Sequence, residues 1–438
     1  DRTEAGRHPY PEPLLSGMFW RDKVAADLIR VYFATFLRSS FPRSRRRQRC
    51  ATQRFLNQIS RASPMLQFLR RVARNLPFFI RAPLRKVYLR LRHRFVPLDS
   101  RSIAAGDGKS ADSYQLKLAQ EHLIFDDQEQ VHDLPAIFHY WSNRWLRPKL
   151  ESFGFSNPDE FFTHFLALSH ADAAGRPARF ISLGAGNCDT EVRVARLLRD
   201  RGVDDFVLEC MDINPHMLER GRELARAADV EHQVMPVQGD FNTWRPEASY
   251  DAVLANQSLH HVVELEHLFT AINDTLLAGG RFITSDMIGR NGHLRWPEAL
   301  IVVREFWSEL PKAYRYNVQL RRRERTFKDW DCSGEGFEGI RAQDILPLLI
   351  ERFAFEFFLP YGNVITPFID RGFGPHFDAD AQWDRDFIDR VHARDEAEML
   401  AGTLTPTNMM AVMRKHPSAD APQIWQHLTP QFCVRMTD

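Results

Sequence analysis

The stretch "RFISLGAGNCDTEV", residues 179–192, sets Gly184 and Gly186 in a tight turn between an apolar run and a helical pattern. Such a turn lets the backbone approach a ligand closely and aims a helix N-terminus at it. Asp212 closes the next apolar run, 28 residues after Gly184, where an acid can grip a ribose diol. Asp240, behind Gly239, ends a third run, and "ANQSLHH", residues 255–261, ends a fourth. A lone G-x-G occurs in many harmless turns. Four polar run-ends in succession point to one ligand-binding edge. His260 and His261 add a candidate general base, because imidazole titrates near neutrality. The competing reading makes one of them a packing residue and the other a structural hydrogen-bonder. His267 is a third imidazole nearby in sequence, but no H-E-x-x-H spacing exists and no metal is expected.

These residues need a scaffold that brings run-ends together. After Pro177 the sequence alternates strand-like and helix-like segments: "ARFISLGAG", "FVLECMDI", "HQVMPVQGD", "YDAVLANQS" and "RFITSDMI", with amphipathic helices between them. Near-continuous apolar strands separated by helices imply a parallel sheet covered on both faces. In such a sheet ligands bind at the carboxyl ends of the strands, where strand order reverses. Asn214 with Pro215 caps one helix, Asn157 with Pro158 caps another, and Gly279–Gly280 is expected to end the helix "ELEHLFTAINDTLL". "ERFAFEFFLPYG" and "PTNMMAVMRK" suit late strands along one edge. "DADAQWDRDFID" faintly resembles a calcium loop, but Trp383 stands where the obligatory glycine belongs, so it reads as an acidic helix start.

The 438 residues, 44% hydrophobic and 26% charged, have room for a large domain with extensions. The net charge of +1 conceals an asymmetry: residues 1–100 carry about 22 Lys and Arg against 6 Asp and Glu, and the acidic excess lies in the rest. Residues 1–105 read as a basic extension of Arg-rich amphipathic helices, 106–175 as a helical cap, 176–416 as the α/β core and 417–438 as a tail. An insertion of about 288–344 interrupts the core, and its length suits a lid or binding wall. The five cysteines are scattered without a C-x-x-C pair, which fits a reducing, cytoplasmic setting better than a disulfide framework. No apolar run reaches the roughly 20 residues of a membrane span. The chain opens on Asp1, and Met18 is a candidate start.

From about 178 to 415 the chain resembles the class I S-adenosylmethionine-dependent methyltransferases. "FISLGAGNC" matches their first motif, "LECMDINPHML" the ribose-binding acid motif, "VQGDFNTW" the adenine-side motif, "YDAVLANQSLHHV" the motif after the fourth strand and "LLAGGRFITSDM" the glycine pair and fifth strand. The resemblance implies a Rossmann-like, mostly parallel seven-stranded sheet with helices on both faces, and S-adenosylmethionine as cofactor. It places Gly184, Ala185 and Gly186 beneath the methionine moiety, with Asp189 or Glu191 near its ammonium. Asp212 and Ile213 fall at the ribose, Asp240 and Phe241 at the adenine, and Asn256 at the end of the fourth strand. Two positions depart from the family: Ser182 stands where an acid is common, and Cys188 where a third glycine is common. A dehydrogenase would want a glycine at 189, where the charge of Asp189 would repel a pyrophosphate.

The expected reaction is methyl transfer to a small-molecule acceptor, at oxygen, since no N-P-P-Y signature follows the fourth strand. Tyr140, Trp141, Trp296, Trp307, Tyr314 and Trp330 form a dense aromatic set outside the sheet, a candidate acceptor wall. The alternative is a hydrophobic contact between insertion and core. The basic arm suits nucleic acid or an anionic membrane surface, where the protein would sit peripherally, or it is a solvated extension. An RNA methyltransferase and a catalytically silent interaction protein on the same fold are the rival functions.

Overall fold

The computed structural model describes Tyr114, Lys117 and Leu118, residues 134–334 and residues 336–435. The chain divides into two units, Asp1–Pro97 and Leu98–Asp438, and every described residue belongs to the second. The basic extension of residues 1–105 therefore lies outside the described residues, as does most of 106–133. Among the described residues no helix is long and apolar enough to cross a membrane.

Two short helices, α1 (Ala136–Trp141) and α2 (Arg147–Glu151), are joined through a π-turn, and α3 (Pro158–Asp172) follows. The Asn157 side chain accepts from the Glu160 N–H, and Pro158 occupies the first helical position. The core then alternates β1 (Ala178–Leu183), α4 (Asp189–Asp200), β2 (Phe206–Asp212), α5 (Pro215–Ala227), β3 (Val234–Gln238), β4 (Tyr250–Asn256), α6 (Leu265–Thr275) and β5 (Leu276–Met287). The insertion holds α7 (Pro297–Glu309) and a small hairpin of β6 (Tyr316–Asn317) and β7 (Arg322–Arg323). It leads into α8 (Ala342–Arg352), β8 (Ala354–Tyr361), α9 (Thr366–Ile369), α10 (Gln382–Leu400), β9 (Asn408–Arg414) and β10 (Gln423–Ile424).

The main sheet has the order β10-β8-β9-β5-β4-β1-β2-β3. β9 alone runs antiparallel to its neighbours, β5 and β8. The chain lays down β1, β2 and β3 outward, then returns to place β4 on the other side of β1. That reversal, between β1 and β4, is where a doubly wound sheet opens a ligand crevice. The expected seven strands are all present, and the two-residue β10 adds an eighth. One boundary differs: α6 stops at Thr275, and Gly279–Gly280 lie inside β5 beside a register shift against β4, not at the helix end. The acidic segment 378–389 does start a helix, α10.

Apolar side chains cover both faces of the sheet. On one, Phe161, Phe162 and Phe165 of α3 pack with Phe180 and Phe357; on the other, Phe269 of α6 packs with Phe282 and Phe353. Each fully buried side chain of this size contributes roughly 1.5–3 kcal/mol relative to exposure. A third cluster joins α1, α7 and α10 around Trp307, Phe368 and Phe387. Arg281, almost wholly buried in β5, is neutralised by Asp172 at 2.7 Å and Glu356 at 3.1 Å, which ties α3 to the sheet.

Candidate active site

The turn after β1 is held by its own strand's neighbour. The N–H groups of Gly184 and Ala185 donate to the Met211 carbonyl at 2.8 and 3.0 Å, and the Gly186 N–H donates to the Asp212 carboxylate at 2.9 Å. The other Asp212 oxygen accepts from the Asn214 N–H at 2.8 Å. Asp212 thus fixes the glycine turn as well as presenting a carboxylate at the strand end. Gly184 and Gly186 have φ of +73° and +56°, where an L side chain is strained. A Cβ on Gly184 would also lie 2.5 Å from that of Ser258 and 3.3 Å from the Phe241 ring, so β1, β3 and β4 converge at this point.

Both departures from the family pattern have a local reason. Cys188 sits at φ +58° as the N-cap of α4, fully buried. Its side chain fits because the facing residue of α5 is Gly221, where a Cβ would stand 2.7 Å from the Cys188 sulfur. Ser182 donates to the Glu191 carboxylate at 2.6 Å, so the acid missing from β1 is supplied from α4, beneath the turn. Glu191 therefore faces inward, against its expected place beside the ammonium. Burial pushes its pKa up to about 7, opposed by the Ser182 hydrogen bond. Asp189, half-buried, opens α4 at the turn.

Along the same edge, Ile213 is half-buried between Asp212 and the cap Asn214, and Asn256 reaches Thr190 of α4 at 3.4 Å. Asp240 accepts from the Tyr114 hydroxyl and from the Asn242 N–H at 2.9 Å. The Asn242 side-chain carbonyl accepts from Val263 and Glu264, which binds this loop to the start of α6. Lys117 donates to the carbonyls of Ser333 and Gly336, so the segment before α1 meets the insertion beside the strand ends.

After β4, one buried carboxylate organises the whole loop. Asp286 of β5 accepts from the N–H groups of Ser258, Leu259 and Met287 and lies 2.6 Å from His260 Nδ1. The Ser258 hydroxyl donates to the Leu183 carbonyl at 2.7 Å. From the insertion, Glu338 comes between the histidines: Oε1 is 3.6 Å from His260 Nε2 and 2.7 Å from His293 Nε2, and Oε2 is 3.6 Å from His261 Nε2. Burial disfavours the imidazolium at His260, but Asp286, with Glu338 beyond, outweighs it and pushes the pKa up to about 10. Asp286 thus favours the charged imidazole at His260, which suits the structural hydrogen-bonding role for that residue; His261 is left as the candidate base. Burial also opposes charge on Glu338, yet its contacts with His260 and His293 and the nearby His261 hold its carboxyl well below the usual range.

The aromatic set does not form one wall. Trp141 and Trp307 are buried in the third cluster, with Trp141 Nε1 at 3.2 Å from His392 and Trp307 against Phe373. Tyr140 donates to Asp389 and Tyr314 to Asp384, both on α10. Trp296 lies between the guanidinium groups of Arg290 and Arg435, and Trp330 is exposed. Three of them, Tyr140, Trp141 and Tyr314, thus engage α10, while Trp307 packs on Phe327 and Phe373. His267 turns to the Trp244 carbonyl at 2.9 Å, away from the pair.

Residues 184–284 match the family described as "Methyltransferase domain". With the strand order and the motifs above, the core is a class I S-adenosylmethionine-dependent methyltransferase domain, and S-adenosylmethionine is its cofactor. More particularly, the chain is 29% identical over 111 residues to 27-O-demethylrifamycin SV methyltransferase of Amycolatopsis mediterranei (strain S699). That match takes in 25% of this chain and 39% of the relative, so the chain spans well under half of that protein's length. Among solved structures, geranyl diphosphate C-methyltransferase from Streptomyces coelicolor A3(2) is 14% identical, covering 57% of this chain and 75% of that one at a TM-score of 0.32. The CcbJ methyltransferase from Streptomyces caelestis is 26% identical, covering 32% and 53% at a TM-score of 0.25.

Proposed function

We propose that this protein transfers the methyl group of S-adenosylmethionine to a hydroxyl oxygen of a small molecule. The observation that carries the reading is Glu338, brought by the insertion against His260 and His261 at the end of β4, beside the glycine turn. When bound, S-adenosylmethionine supplies an electrophilic methyl on a sulfonium. Gly184, Ala185 and Gly186 would lie under its amino-acid end, with Asp189 at the turn. Asp212 would accept from the ribose hydroxyls and Asp240 from the adenine amine, with Phe241 against the ring. The methyl transfer would be an in-line displacement by the acceptor oxygen with loss of the carbon–sulfur bond, so the chain's own main task would be alignment. The acceptor's proton passes to His261, while His260, pinned to Asp286, fixes the loop. The insertion is tied down here, with the Ile340 N–H donating to the His260 carbonyl and Arg341 paired with Glu266. A wall so close to the donor favours a small acceptor. The O-methylation in the relative's name supports oxygen as the target.

The test is incubation of the purified chain with methyl-labelled cofactor and fractionated small-molecule extract. Label in a small hydroxylated product supports the reading. Label only in RNA or protein, or none despite cofactor binding, refutes it.

A further inference from the structure

We propose that His260, His261 and Glu338 bind a divalent metal ion of the zinc class. Their ligand atoms all lie within 4.8 Å of one another. The two imidazole Nε2 atoms each stand 3.6 Å from a different oxygen of Glu338. A tetrahedral ion with bonds of about 2.0–2.1 Å holds its ligand atoms roughly 3.4 Å apart, close to the observed spacing. The second observation is behind the first ligand. Asp286, fully buried, takes the Nδ1 proton of His260 at 2.6 Å, which leaves Nε2 as the atom facing Glu338. A carboxylate behind a histidine in this way fixes its tautomer and raises its basicity toward a metal.

A second group, His293, Cys332 and Glu338, overlaps the first through the shared carboxylate. Cys332 already directs its sulfur to the Gly292 carbonyl at 3.1 Å, and His293 holds Glu338 at 2.7 Å, so both serve to seat Glu338. Two imidazoles and a carboxylate suit Zn²⁺, Fe²⁺ or Co²⁺ rather than the all-oxygen shells of Mg²⁺ or Ca²⁺. Three protein ligands would leave a fourth position for an acceptor oxygen. The inference deepens that reading: an acceptor oxygen on the ion would lose its proton more readily, and the ion would replace His261 as the group that draws it off.

Full-length protein is stripped with chelator, then titrated with Zn²⁺ by calorimetry and with Co²⁺ by visible absorption, with neither cofactor nor acceptor present. A single tight site per chain is expected, with four-coordinate Co²⁺ bands and no thiolate charge-transfer band. Glu338→Gln and His261→Ala should abolish it, Asp286→Asn should weaken it about 10–100-fold, and Cys332→Ser should keep it. No tight site in the wild type, unchanged binding in Glu338→Gln, or loss in Cys332→Ser overturns the assignment. If a variant fails to fold, the wild-type Co²⁺ spectrum decides alone. Because no methyl is transferred in this experiment, failure of the metal proposal and failure of the methyltransferase reading are separately visible.

Discussion

Glu191 makes the cofactor turn sensitive to pH through stability alone. Its carboxyl is buried beneath the turn with the Ser182 hydroxyl as partner, and burial raises its pKa from 4.5 to about 7. For an acid the sign follows directly. Below about pH 4.5 folded and unfolded chains both carry the proton, and nothing is lost. Between 4.5 and 7 the unfolded chain ionises while the folded one does not, so stability falls as pH rises. Above 7 both are ionised and the penalty levels off. A displacement of this size corresponds to about 3 kcal/mol. Glu191→Gln keeps an acceptor for Ser182 and removes the ionisation. Urea unfolding of both proteins without cofactor, from pH 4.5 to 8.5, gives the difference between them. Other titrating groups are common to both and cancel. The variant should equal the wild type near pH 4.5 and exceed it by up to about 3 kcal/mol above pH 7. A difference that stays flat across this range would refute the argument.

Asp212→Ala should weaken S-adenosylmethionine binding by roughly 1.5–3 kcal/mol in titration calorimetry, since the carboxylate holds the turn and, in the proposed reading, the ribose. His261→Ala should lower single-turnover rates about 10²–10⁴-fold with cofactor affinity kept, and His260→Ala should lower the melting temperature as well, because it also loses the Asp286 pair. Gly221→Ala should cost about 1–3 kcal/mol in denaturant unfolding by overpacking against Cys188. A chain beginning at Leu98 should fold and bind cofactor, because that unit holds every described site residue; an insoluble or non-binding product shows the arm to be integral.

Much of the core was legible because its signals are local. The glycine turn, Asp212, Asp240 and the Asn214 cap each follow from a few neighbouring residues and the alternation of strand and helix. What the sequence hid is what arrives from a distance. Asp286 stands in an apolar strand, and an acid there is the one available hint that it serves a buried partner. Glu338 reaches the site from a segment whose sequence carries no periodic signal, and Tyr114 from the start of the cap, far along the chain from Asp240. The aromatic set misled for another reason: aromatic density marks apolar contact, and it does not distinguish a pocket wall from a core. Trp141 met His392 of α10, and Trp307 met Phe327 and Phe373, each far along the chain. The end of α6 was misplaced because a glycine pair suits a strand irregularity as well as a helix stop.

The close approach of Cys188 to Gly221 couples what the two positions can hold. A side chain gained at the loop is balanced by a side chain forgone on the adjoining helix, so the local volume is conserved while its address in the sequence changes. An alignment that scores column 188 alone would record decay of the motif. In three dimensions the missing glycine is present, displaced onto the neighbouring helix. Reverting Cys188 to glycine would then open a void, and filling Gly221 would create a collision. The paired exchange, Cys188→Gly with Gly221→Ala, would avoid both the void and the collision, and the coupling between the two substitutions should be large and favourable.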